Sequence, residues 1–73
     1  MREGHTRQAR EHLERLVQRD PRSFPDAHRV LGMIYRDEGL QVLAKSSFTS
    51  FLKYANPKSA EAEEVRQLLA RMR

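Results

Sequence analysis

Leu31-Gly32-Met33-Ile34-Tyr35, followed after a break at Gly39 by Ala44-Lys45-Ser46-Ser47-Phe48, is the stretch that decides the fold. Its apolar residues recur at three- and four-residue spacing on both sides of Gly39, which is the period of two helices and not of strands. Small and bulky residues alternate across the two segments in a way that suits a close helix pair. Gly32 and Ala44 let two backbones approach, and Tyr35 and Phe48 fill the space left over. Ala27, Leu31, Ile34, Tyr35 and Glu38 share one side of the first segment, with Glu38 where that side meets solvent. Leu40, Leu43, Ala44, Ser47, Phe48, Phe51 and Ala55 form the stripe of the second.

Working outward, the periodicity predicts four helices. The first spans about residues 2–19, with a narrow apolar stripe of Ala9, Leu13, Leu16 and Val17, and Asp20-Pro21 ends it, because the residue before a proline disfavours the helical region. Ser23-Phe24-Pro25-Asp26 reads as a helix start, with Ser23 and Asp26 spaced as a capping box and Pro25 in the first turn, where a missing N–H costs nothing. That second helix runs to about Asp37, and Gly39 follows where a left-handed residue commonly closes a helix. A third covers about residues 40–55 and stops at Asn56-Pro57. Ser59 caps a fourth, with Glu61, Glu63 and Glu64 near its positive end, Arg71 and Arg73 near its negative end, and Ala62, Val65, Leu68, Leu69 and Met72 as its buried side. The joints are short, so neighbouring helices are expected to pack antiparallel.

The chain also echoes itself at a spacing of 35 residues: Gly4, Ala9, Leu13 and Leu16 fall on Gly39, Ala44, Phe48 and Phe51, and Asp20-Pro21 on Asn56-Pro57 one residue out of step. A period in the mid-thirties marks stacked-helix repeats, in which each unit buries its apolar face against its neighbours. Leu31-Gly32, Tyr35, Ala44, Phe48 and Pro57 together resemble a tetratricopeptide repeat. There are two departures: His28 stands at the bulky first position, and Pro57 arrives one residue late. The resemblance implies an all-α, antiparallel helix-turn-helix repeat, a fragment of an α-solenoid, in one domain over residues 1–73. Residues 2–21 are then half a repeat, 25–57 a full one and 59–73 the closing helix.

Composition narrows the function classes. At 73 residues, with 38% apolar and 33% charged residues, the chain is near the lower limit for an independent core but too patterned for disorder. It has no cysteine, hence no disulfide framework and no thiolate chemistry. No apolar run approaches the ~20 residues of a membrane span, and the charged N-terminus does not read as a secretory signal; a cytoplasmic location is expected. The formal charge of +4 hints at an anionic partner. It is spread evenly, however: residues 1–24 hold six arginines against four acids, residues 25–57 four basic against three acidic, residues 58–73 four against three. Glu3/Arg7, Glu11/Arg15 and Arg10/Glu14 sit four apart, as ordinary intrahelical pairs do.

Nothing marks a catalytic centre. His5 and His12 lie two turns apart on one helix, about 10 Å by helical rise, too far to share a zinc ion, and the three histidines, His28 included, are expected at the surface. Ser46, Ser47, Thr49 and Ser50 have no base placed to activate them, and the glycines at positions 4, 32 and 39 build no phosphate loop. Neither an enzyme nor a cofactor is expected. The candidate binding face lies on the second helix, where Asp26, Arg29, Met33, Arg36 and Asp37 fall within about 100° of one another. The resemblance implies that this side lines the concave groove in which peptides or partner helices lie. Two arginines there can fork a carboxylate or phosphate, with Met33 an adaptable apolar contact between them. The subgroup that grips acidic chaperone tails uses Lys and Asn where this chain has Arg29 and Met33, so that particular ligand is not expected.

The expected function is a protein–protein interaction module or scaffold, binding a peptide or helix of a partner. Because one whole repeat and two halves fall short of the three units that repeat arrays need, a homo-oligomer, a dimer through the first helix, is also expected. The alternative is a small basic nucleic-acid binder, with Glu38-Gly39-Leu40 as the turn of a helix-turn-helix and residues 41–54 as the recognition helix. Leu40, Leu43, Phe48, Phe51 and Leu52 weigh against that helix lying open in a groove, and Lys45 and Lys53 are its only cations.

Overall fold

A computed structural model describes residues 2–72, with side chains from Thr6 onward. The described residues form four helices and no strand: α1 (Arg2–Arg19), α2 (Pro25–Asp37), α3 (Gln41–Tyr54) and α4 (Ala60–Arg71). The closest pairing is α2 with α3; α1 leans on α2, and α4 on α3. Contacts between α1 and α2 run in opposite chain directions, Arg10 to Glu38 and Glu14 to Tyr35, so this pair is antiparallel. So is the pair α2 and α3, where Gly32 meets Phe48 and His28 meets Tyr54.

The centre is the expected clasp. Leu31, Tyr35, Ala44, Phe48 and Phe51 form one buried cluster, which Ala62 and Val65 extend into α4. Phe48 and Ala44 are fully buried, and the Phe48 ring lies so close over Gly32 that no Cβ fits there. Leu13 and Val17 fix α1 to this cluster, and Leu68, Leu69 and Met72 fix α4. Leu16, by contrast, turns towards the end of α1 and lines a cleft with Phe24.

Three joints shape the chain. At Asp20-Pro21 the last α1 amide bond is Asp20 N–H to Leu16 C=O, and the Asp20 carboxylate accepts from the Ser23 amide at 3.3 Å. At Asn56-Pro57 the Asn56 side chain accepts from the Lys58 amide at 2.9 Å. At both joints an Asx residue stands before proline and its side-chain oxygen accepts from an amide two or three residues on, which turns the chain. Between them, Gly39 takes φ 81, and the Leu40 and Gly39 amides return to the carbonyls of Tyr35 and Arg36, a Schellman closure that requires the left-handed residue. Ser59 caps α4 as expected, its hydroxyl accepting from the Ala62 amide at 3.1 Å, a contact worth about 1 kcal/mol.

Several expectations are corrected. The capping box of Ser23 and Asp26 does not form; Phe24 occupies the N-cap of α2 without a side-chain hydrogen bond, because the Ser23 amide is taken by Asp20 and Asp26 pairs with Arg29. Ala9 is exposed, since the apolar residues by which α1 packs on the core are Leu13 and Val17. Leu40 and Leu43 are 39% and 46% exposed: the seam of α3 narrows to Ala44, Phe48 and Phe51, while Leu43 lines an open groove between α1 and α3. His28 is buried at 6%, where a surface histidine was expected. Its ring stacks on Tyr54 and donates through Nε2 to the Pro21 carbonyl at 3.0 Å, so both the ring and its polar atom are satisfied inside.

The pairing of charges within α1 also differs. Arg10 reaches across to Glu38 at 2.7 Å, and Glu14 accepts from the Tyr35 hydroxyl, so both leave the i,i+4 arrangement to bind α2. Glu3 lies outside the described side chains. Burial, followed by the hydrogen bond to Glu14, pushes the Tyr35 phenol well above the ordinary tyrosine range. A group whose folded pKa is raised stabilises fully below its unfolded pKa, about 10, and loses that contribution as pH rises beyond it. The parent protein is therefore expected to lose stability above about pH 10 more steeply than Tyr35→Phe, read from urea midpoints across that range. Equal slopes would show that Tyr35 ionises as freely folded as unfolded.

Candidate functional site

Of the residues proposed on α2, Asp26 and Asp37 are exposed and Arg29 and Arg36 half-buried, while Met33 packs on the core, and most are already engaged. Asp26 and Arg29 are joined at 2.7 Å, and Arg29 also feels Glu61 and Glu64 of α4. The hydrogen bond to Asp26, with those carboxylates adding to it, holds the guanidinium above its ordinary pKa. Arg36 is looser, 3.7 Å from its neighbour Asp37. Met33 is half-buried and packs on the core, so it forms a wall of the face rather than a mobile contact. A forked grip on an anion by Arg29 and Arg36 together therefore requires Arg29 to leave Asp26.

What sequence reasoning missed is the apolar cleft at the end of this face. Pro25 and Asp26 at the start of α2, Phe51, Tyr54 and Ala55 at the end of α3, and Ser59 and Glu61 near the start of α4 border a shallow, largely open depression of about 290 Å3. Its floor is aromatic and its rim carries two carboxylates, Asp26 and Glu61. Tyr54 was legible only as a helix-end residue, because its position depends on the stacking with buried His28. The face is thus a charged strip, Asp26, Arg29, Arg36 and Asp37, leading into an apolar recess beside the acidic first turn of α4.

Among the described residues no three His, Asp or Glu side chains converge as a metal site would need, and no helix is long and apolar enough to cross a membrane. His12 is exposed on α1, while His28 is committed to packing; His5 lies outside the described side chains. Ser46, Ser47 and Ser50 line the groove between α1 and α3 beside Glu14 and Tyr35, without a histidine hydrogen-bonded to any of them. Compared with protein-family models, with curated proteins and with solved structures, the chain matches none.

Proposed function

We propose that this chain is a protein–protein interaction module of the tetratricopeptide type, and that the side of α2 turned from the core, together with the cleft at its N-terminal end, receives a peptide or helix of another protein. The observation that carries the reading is the juxtaposition of the charged strip on α2 with an aromatic-floored recess of about 290 Å3. A strip of this kind orients a partner and sets its register, while an apolar anchor in the recess supplies the affinity. The clasp of Gly32 and Phe48 supports it by holding α2 rigidly on α3.

Arg29→Glu combined with Arg36→Glu is expected to weaken partner capture by about tenfold or more, because four acids then surround the strip without a cation. The measurement compares proteins retained from a cell extract by the parent and by the double variant, with helical content checked by circular dichroism. Retention of the same proteins in equal amounts by both would sink the reading.

Self-association through α1 has less behind it. The outward side of α1 combines one large apolar residue, Leu16, with His12, Arg15 and Arg19, and two such faces brought together set like charges opposite one another.

A further inference from the structure

The end of α1 carries a second cleft, which shares no lining residue with the α2 strip. His12, Arg15, Leu16 and Arg19 line one side of it, and Asp20 and Phe24 the turn that follows; together they enclose about 380 Å3. That lies within the ~300–1,000 Å3 typical of ligand clefts. The floor is apolar: Leu16 is half-buried and outside the core cluster, and Phe24 is 47% exposed. Two of its wall residues, Arg15 and Arg19, are cations. His12, Arg15 and Arg19 take part in none of the ion pairs among the described residues, unlike Arg10, Arg29, Arg36 and Arg66. The one carboxylate among the lining residues, Asp20, is engaged by Ser23, whose hydrogen bonds hold it below its ordinary pKa.

Phe24 is the second, independent observation. It sits at the N-cap of α2, a position that favours Ser, Asp, Asn or Thr, and makes no side-chain cap bond there. It also leaves nearly half its surface in water. A residue that forgoes the cap and does not reach the core breaks two local rules at once, and such breaks concentrate at functional sites.

We propose that this cleft docks an acidic peptide segment of another protein, one large apolar side chain seated between Leu16 and Phe24 and flanking carboxylates meeting Arg15 and Arg19. The proposal rests on reading the domain as an interaction module but uses a different set of residues. Charge complementarity selects the occupant: two unpaired guanidinium groups want carboxylates, and an exposed aromatic wall wants an apolar anchor. A second copy is a poor fit. Its acidic helix, α4, exposes no large apolar side chain, and its exposed Leu40, Val42 and Leu43 adjoin Glu38, which is held by Arg10.

The test is fluorescence polarisation at low salt with a short synthetic peptide that carries one tryptophan between runs of glutamate. Saturable binding is expected, weakened about tenfold or more by Arg15→Glu with Arg19→Glu, by Phe24→Ala, and by changing the peptide's tryptophan to alanine. All these protein positions are solvent-facing, so circular dichroism should confirm intact helices. Equal affinity for the tryptophan and alanine peptides would overturn the proposal in favour of a generic polyanion effect. So would binding of single-stranded oligothymidine that depends on Arg15 and Arg19 but not on Phe24, which points to nucleic acid. Self-association of the parent in sedimentation, abolished by Arg15→Glu with Arg19→Glu, would assign the cleft to a second copy. Loss of the peptide by Arg29→Glu with Arg36→Glu, but not by the α1 changes, would move the site to α2 and leave the proposed function standing.

Discussion

Gly32→Leu is expected to abolish cooperative folding, or to lower the urea midpoint by the equivalent of about 3 kcal/mol. A Cβ built on Gly32 lies 2.5, 2.5 and 2.9 Å from three ring carbons of Phe48. The ring is fully buried and belongs to the cluster that joins α2, α3 and α4, so it has no solvent-side space to retreat into. Overpacking a tight core costs about 1–3 kcal/mol, and leucine brings a whole branched side chain to a site where one methyl already collides. Replacing a helical glycine returns about 1 kcal/mol of backbone entropy, which offsets part of this for Gly32→Ala and little of it for leucine. Gly39→Ala is the control. Nothing lies within 4 Å of its Cβ position, so only its left-handed backbone at φ 81 is penalised, a cost of about 1–2 kcal/mol. An unchanged midpoint for Gly32→Leu would mean that α2 and α3 do not meet on Gly32.

The opposite change at the same contact has a still larger expected effect. Phe48→Ala removes the largest fully buried side chain in the structure. Truncating a core phenylalanine costs about 3–5 kcal/mol through lost burial and the cavity left behind. A chain of 73 residues has total stability of about 4–11 kcal/mol by the usual per-residue range. One substitution therefore removes between about a quarter and all of it, and the variant should melt far below the parent at reduced helical content. Val42→Ala, at a position 80% exposed on the same helix, should stay within about 0.5 kcal/mol of the parent. If Phe48→Ala melts cooperatively near the parent temperature, the core is not organised around this ring.

The elements were legible because the strongest local signals agree with the packing. Pro21, Gly39 and Pro57 break the chain where the helices stop, and Ser59 caps α4 by the bond its position predicts. Leu31, Tyr35, Ala44, Phe48 and Phe51 were identifiable as core because their spacing is helical on both sides of Gly39 and the small residues face the large ones. What periodicity cannot see is competition for a partner. Ser23 looks like a cap until Asp20 takes its amide, and Arg10 and Glu14 look like an intrahelical pair until Glu38 and Tyr35 draw them apart. His28 was misplaced for the same reason: a polar ring is read as exposed unless a carbonyl is known to wait for it inside. The strip on α2 was legible as a face, but the capture of Arg29 by Asp26 was not, nor was either cleft, since each is assembled from residues on separate elements.

Each helix rests chiefly on the one before it or after it in the chain. Most of the core is assembled between helices that follow one another in the chain. The loops that must close are short, and the entropy lost in closing a loop grows with its length. Structures built in this way reach their native state quickly, on the microsecond to millisecond scale of other local-contact folds. A hairpin of α2 and α3, clasped at Gly32, can serve as the nucleus on which the outer helices condense.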